Sequence, residues 1–193
     1  MVRRSWDFRT LLGGSTDADS VWSAECPRGY SVSAVRTEKR DGEVVVVDLK
    51  CCPPSAGVVN PLKCEVVDLH RGAHNKDLAC RSGDALVAIY ANETLMRPEK
   101  IKCCGMMGSR MASLSQNLGQ DANGVGSCYD VSVAAKSARG GPRKGTDLWN
   151  TECSEGEGFV ALRLEDTVND DAVLTGFTCC GTVKDDDAGQ LLD

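Results

Sequence analysis

Cys153-Ser154-Glu155-Gly156-Glu157-Gly158-Phe159-Val160-Ala161-Leu162, followed after a second apolar run by Cys179-Cys180, is the stretch that decides the fold. The same frame occurs twice more. Cys26, Gly29, Val32, Ala34 and Val35 lead to Cys51-Cys52, and Cys80, Gly83, Leu86, Ala88 and Ile89 lead to Cys103-Cys104. Self-similarity of this kind means repetition of one supersecondary unit. The third residue after each lone cysteine is Gly, which suits a turn needing positive φ. The eighth is Ala in every copy, and the ninth is aliphatic (Val35, Ile89, Leu162). A shared Ala implies that three equivalent backbones approach closely, as around a threefold axis.

The apolar run after each Gly reads as a strand, and a second strand ends at each Cys-Cys pair. Glu43-Val44-Val45-Val46-Val47-Asp48-Leu49-Lys50 is β-branched through its centre and unsuited to a helix. Polar turn segments separate the two strands. Each unit is at least a hairpin, extended by strands from the connecting segments. The expectation is an all-β fold forming one domain from repeats at residues 5–59, 60–120 and 121–184, with a disordered acidic tail at 185–193.

Eleven cysteines in 193 residues read as a disulfide framework formed in an oxidising compartment. They are Cys26, Cys51, Cys52, Cys64, Cys80, Cys103, Cys104, Cys128, Cys153, Cys179 and Cys180. Zinc is excluded by spacing, because no Cys-x-x-Cys pair exists and the two histidines are His70 and His74, with Gly72 between them. Neighbouring strand residues face opposite ways, so a vicinal pair serves two different partners. One member should bond the lone cysteine of its own repeat. The other should reach a connecting segment, where Cys64 and Cys128 are available. The stretch before the first repeat, Arg4-Ser5-Trp6-Asp7, offers no cysteine, which leaves one thiol of a vicinal pair free or bonded outside the chain.

A net charge of −6 without a basic patch argues against nucleic acid. No run reaches the ~18–20 apolar residues of a membrane-spanning helix, and no apolar signal segment follows Met1. The expectation is a mature or excised segment of a secreted protein. Catalysis finds no support: two clustered histidines allow no Ser-His-Asp arrangement, and no carboxylate pair can be assigned. Asp170-Asp171 alone is too small a set for calcium. No catalytic residue, metal or cofactor is expected. Asn92-Glu93-Thr94 has the form of an N-glycosylation sequon, which applies only if the host is a secreting eukaryote.

The frame Trp149-Asn150-Thr151-Glu152-Cys153-Ser154-Glu155-Gly156, with Asp170-Asp171-Ala172-Val173-Leu174-Thr175-Gly176 before Cys179, resembles the vitelline membrane outer layer protein I family. Trp22-Ser23-Ala24-Glu25-Cys26 repeats the Trp frame, whereas the second repeat has Lys76 at the Trp position and no Asp-Asp turn. The vicinal cysteines exceed that family's pattern. The resemblance implies a β-prism of three antiparallel sheets, one per repeat, with pseudo-threefold symmetry, in a secreted protein with carbohydrate interaction. The organisation is also similar to the C-terminal β-prism domain of apicomplexan perforin-like proteins, which implies membrane targeting.

Two binding expectations follow. Trp22 and Trp149 could stack on sugar faces, against the alternative that they pack at equivalent points of the fold. Met107, Met111, Leu114 and Leu118 fall at helical spacing. With Met106 they could place Met106, Met107, Met111 and Leu114 against lipid, the alternative being a short helix closing one end. A non-catalytic module recognising an extracellular glycan is the leading reading. A membrane-binding domain of a larger pore-forming protein comes second, and an enzyme acting on chito-oligosaccharides a distant third.

Overall fold

The computed structural model describes residues 21–40, 43–68, 78–92, 98–112, 128–133, 151–166 and 172–184. These residues form strands β1 (Val21–Glu25), β2 (Ser31–Arg40), β3 (Glu43–Cys52), β4 (Val58–Asp68), β5 (Leu78–Ala79), β6 (Ala85–Asn92) and β7 (Pro98–Met107). They continue as β8 (Ser109–Met111), β9 (Cys128–Ser132), β10 (Thr151–Glu152), β11 (Gly158–Asp166), β12 (Ala172–Cys180) and β13 (Thr182–Lys184). Among the described residues the fold is all-β. The helical stripe expected around Met107 and Met111 is overturned: Met107 ends β7, Gly108 turns with φ +73°, and Met111 ends β8. Pairing with β4 and β13 satisfies this backbone across strands, which overrides a short run of helical spacing.

The repeated frame becomes three antiparallel hairpins, β2–β3, β6–β7 and β11–β12. Each opens with the same turn, in which Tyr30, Asp84 and Glu157 donate their N–H to the carbonyls of Pro27, Arg81 and Ser154 at 3.0–3.1 Å. Gly29, Gly83 and Gly156 occupy the left-handed position of these turns, at φ +85°, +94° and +82°. Each hairpin also bulges at two equivalent places. The extra residues are Ser33, Val87 and Val160 on the outgoing strand, and Val47, Glu99 and Thr175 on the return. A bulge releases a backbone group from the ladder. The first set puts those groups to use: the Cys26 N–H donates to Val87 O at 2.8 Å, Cys80 to Val160 O at 2.8 Å, and Cys153 to Ser33 O at 2.9 Å.

Those three bonds describe a cyclic exchange. The short strand entering each repeat pairs with the next repeat's hairpin: β1 with β6, β5 with β11, and β10 with β2. Register repeats as well, since Glu25 stands opposite Ala88, Ala79 opposite Ala161 and Glu152 opposite Ala34. Strands β2, β6 and β11 each touch the other two. Ala34, Ala88 and Ala161 are buried on these strands, where a larger side chain would push the contact apart. Sheets therefore do not follow repeats one to one. Four sheets are present among the described residues, ordered β1-β6-β7-β4, β10-β2-β3, β5-β11-β12-β9 and β13-β8.

The main core takes side chains from all three hairpins: Val32, Val35 and Leu49; Leu86, Ile89 and Ile101; Phe159, Leu162 and Phe177. Phe159 and Phe177 stack with centroids 4.5 Å apart. A second cluster, including Val59, Val87, Met111, Val160 and Cys180, lies apart from it.

Five disulfides join the strands. Cys26–Cys51, Cys80–Cys103 and Cys153–Cys179 staple each lone cysteine to the first member of its own vicinal pair, with all six cysteines in the main core. Cys104 and Cys180 face the other side and bond Cys64 and Cys128, which stand directly opposite them on β4 and β9. Cys52 is the exception to the eleven-cysteine framework: it is a free, half-buried thiol. Its parity directs it away from Cys26, and no second unpaired cysteine is left in the chain for it.

Candidate functional site

An exposed apolar tip forms on the second sheet where β4 breaks its ladder with β7. Val59 pairs with Met106 and Cys64 with Cys104, which leaves four residues, Asn60 to Lys63, opposite Gly105 alone. Pro61 has no N–H to donate, so this run cannot continue the ladder. Asn60 Oδ1 accepts the Leu62 N–H at 3.0 Å and tightens the excursion. The excursion packs beside Gly105, where a Cβ would sit in ordinary contact, 3.5 Å from Lys63 Cβ and 3.4 Å from Asp84 Oδ1.

Leu62 is carried out to 92% exposure. Val58 and Met107, paired in register at the end of the same two strands, are each 49% exposed. The first repeat's turn abuts this surface, since a Cβ on Gly29 would meet Val58 Cγ1 at 3.4 Å. Arg28 in that turn, Lys63 beside Leu62 and Arg110 on β8 are exposed. Asp84 is the nearby acid. Burial pushes its carboxyl upward, Glu65 adds to this, and Arg81 and Lys63 pull the other way.

A second feature is a polar groove of about 330 Å³ on the third sheet, lined by Asp130, Ser132, Arg163, Glu165 and Thr175 around Gly176. Gly176 allows β9 and β12 to approach closely, because a Cβ there would fall 2.8 Å from Val131 O. Asp130 is held on both oxygens, by Arg163 and by Thr178 Oγ1, the latter at 2.8 Å. Thr175 Oγ1 donates to Arg163 O at 3.3 Å. On the same edge strand Tyr129 clamps the third repeat's turn. Its hydroxyl donates to Glu157 Oε2 at 2.6 Å and accepts the Ser154 N–H at 2.9 Å. Burial, then the bond to Glu157, hold its phenol above the ordinary value.

The sequence-predicted residues divide sharply. Trp22 lies on β1 with Ala91 as its register partner, and Trp149 is outside the described residues. Met107 is at the apolar tip and Met106 is half-buried against the second cluster. Met111 is 1% exposed in that cluster, which removes it as a surface contact. Its N–H donates to Gly83 O at 3.0 Å, so β8 is tied down over the core. Leu114, His70, His74, Asp170 and Asp171 lie outside the described residues, and Asn92 closes β6. No group of three His, Cys, Asp or Glu able to hold a metal occurs among the described residues. Among them, too, no helix is long and apolar enough to cross a membrane. Leu62 was missed, though Pro61 inside a Val-rich run was its available signal. The groove had none, since it depends on three strands meeting. No protein-family model, curated protein or solved structure matches the chain.

Proposed function

We propose that the chain is an extracellular β-prism module, three hairpins exchanged around a pseudo-threefold axis, that attaches to a membrane surface through its apolar tip. The observation carrying this reading is Leu62, held at 92% exposure between Pro61 and Lys63, on the same pair of strands as the half-exposed Val58 and Met107. A lone exposed Leu is ordinary, whereas an apolar group rimmed by basic side chains marks an interaction surface. Burying Leu62 in a lipid interface contributes about 2 kcal/mol, which alone is roughly a thirtyfold preference. The neighbouring apolar surface adds to this, and each of Arg28, Lys63 and Arg110 near anionic headgroups adds about 1 kcal/mol. Five disulfides support an oxidising, extracellular setting. The resemblance to perforin-like C-terminal domains points the same way.

Vesicle co-sedimentation tests this. Wild type is expected to pellet with phosphatidylserine-containing vesicles, and Leu62→Asp to bind at least roughly tenfold more weakly without loss of fold. Wild-type indifference to vesicles would end the proposal.

The groove around Gly176 favours a second reading, recognition of a saccharide by hydroxyls and charges on a rigid sheet. Titration with neutral and acidic oligosaccharides should then shift the amide resonances of Ser132, Arg163 and Thr175. Shifts confined to other faces, or none, would reject it.

A further inference from the structure

We infer that Asp84 makes membrane attachment acid-sensitive: its carboxylate opposes the approach of the Leu62 tip to anionic lipid, and a proton on it removes that opposition. This rests on the membrane reading of the tip and adds its regulation. The first argument is position. Asp84 belongs to the turn before β6, where its N–H donates to Arg81 O at 3.0 Å. A Cβ on Gly105, the residue opposite the excursion, would lie 3.4 Å from Asp84 Oδ1 and 3.5 Å from Lys63 Cβ. The carboxylate and the stem of Lys63 therefore flank one residue, at the base of the excursion that carries Leu62 outward.

The second argument is charge. The charged groups around Asp84 are Lys63 and Glu65 on β4, Arg81 in its own turn, and Arg110 on β8. A Cβ on Gly83 would meet Arg110 Cβ at 3.5 Å, and Arg81 pairs with Glu65 at 2.8 Å. Three cations against two carboxylates give this cluster a net charge of one, and a proton on Asp84 makes it two. Burial, then Glu65, hold the carboxyl above its ordinary range, against the pull of Arg81 and Lys63. Docking moves it further the same way, because a lipid surface strips water and its negative potential draws in protons. Binding thus takes up a proton. Attachment is strongest below the pKa of the unbound carboxyl and weakens as pH rises through the higher value of the bound state. One opposing charge removed at the surface corresponds to about fivefold in affinity.

The test is co-sedimentation of the full chain with phosphatidylglycerol vesicles at fixed salt, subtracting a vesicle-free tube. Wild type should bind at least about fivefold more tightly near pH 4.5 than near pH 7.5. Asp84→Asn, which is always neutral, should bind at the higher pH at least about fivefold more tightly than wild type and lose most of the acid step. Asp68→Asn removes the same charge from the far end of β4. That position is about 16 Å along the strand from Lys63, beyond the screening length of about 8 Å, so this variant should keep the step. Wild-type affinity independent of pH, an Asp84→Asn variant matching wild type at both pH values, or an equal loss of the step in Asp68→Asn overturns the assignment. Binding by neither wild type nor Asp84→Asn at either pH ends the membrane reading itself, and this inference with it. Should Asp84→Asn misfold, the wild-type Asp84 carboxyl resonance decides. Phosphatidylglycerol-containing bicelles should raise its titration midpoint, and an unmoved midpoint rejects the proposal.

Discussion

Replacing Cys153 and Cys179 together by Ala, in a Cys52→Ser background that leaves no thiol to reshuffle, is expected to cost about 2–5 kcal/mol and roughly 10 °C in melting temperature. Both cysteines are buried, at 6% and 0% exposure, and both belong to the main core with Phe159 and Phe177. The bond also fixes β12 to the turn that begins the third hairpin, so its loss loosens the same contacts that the exchanged strand β10 depends on. The informative comparison is the Cys64→Ala/Cys104→Ala variant. Loop closure ranks the two bonds the other way, because Cys64 and Cys104 are 40 residues apart and Cys153 and Cys179 only 26. That difference amounts to only about 0.4 kcal/mol. Emptying two core positions costs on the order of 1 kcal/mol each. The core bond should therefore matter more, with Cys64–Cys104 loss expressed mainly as faster exchange in β4. Calorimetry of both variants decides, and a larger drop for the outer bond would show that chain entropy governs.

The second large effect is expected at Phe177→Ala, with a loss of about 3–5 kcal/mol measured by denaturant titration. Phe177 is fully buried, and it stacks on Phe159 at 4.5 Å with 27° between the rings. Such a pair adds about 0.5–1.5 kcal/mol beyond area burial. Removing both rings should then cost less than the sum of the single losses, by about that amount. At the equivalent places the first two repeats use Val32 with Leu49 and Leu86 with Ile101, so the third hairpin supplies the core's bulk and the other two its fit. Full additivity of the two replacements would contradict a direct contact.

The hairpins were legible because their determinants are local. Gly29, Gly83 and Gly156 stand where a turn requires positive φ, and Val44 to Val47 exclude a helix through β-branching. The division of labour within each vicinal pair was legible too, because alternation along a strand is geometric. What alternation does not reveal is absolute direction. Nothing local separates Cys51 from Cys52, and the choice rests on which face of β3 meets the core. Met111 failed for a related reason. Its helical spacing from Met107 is a statement about nearest neighbours, whereas its burial comes from β13 and the turn at Gly83, both distant in the chain. The tip at Leu62 was hidden because Pro61 breaks a ladder whose other half lies on β7, opposite Gly105.

By itself the triple frame around Cys153, Gly156 and Cys179-Cys180 determined the number of hairpins, their turns and the parity of their staples. Each follows from steric limits on φ and from the two-residue period of a strand. Only the tertiary structure decided that each entering strand is handed to the next repeat, that four sheets result among the described residues, and that Cys52 is the thiol left over. Those outcomes depend on the carbonyls of Ser33, Val87 and Val160, freed by bulges and facing a neighbour more than fifty residues away. Such pairings are settled by the closing of a ring of three hairpins, which no single repeat encodes.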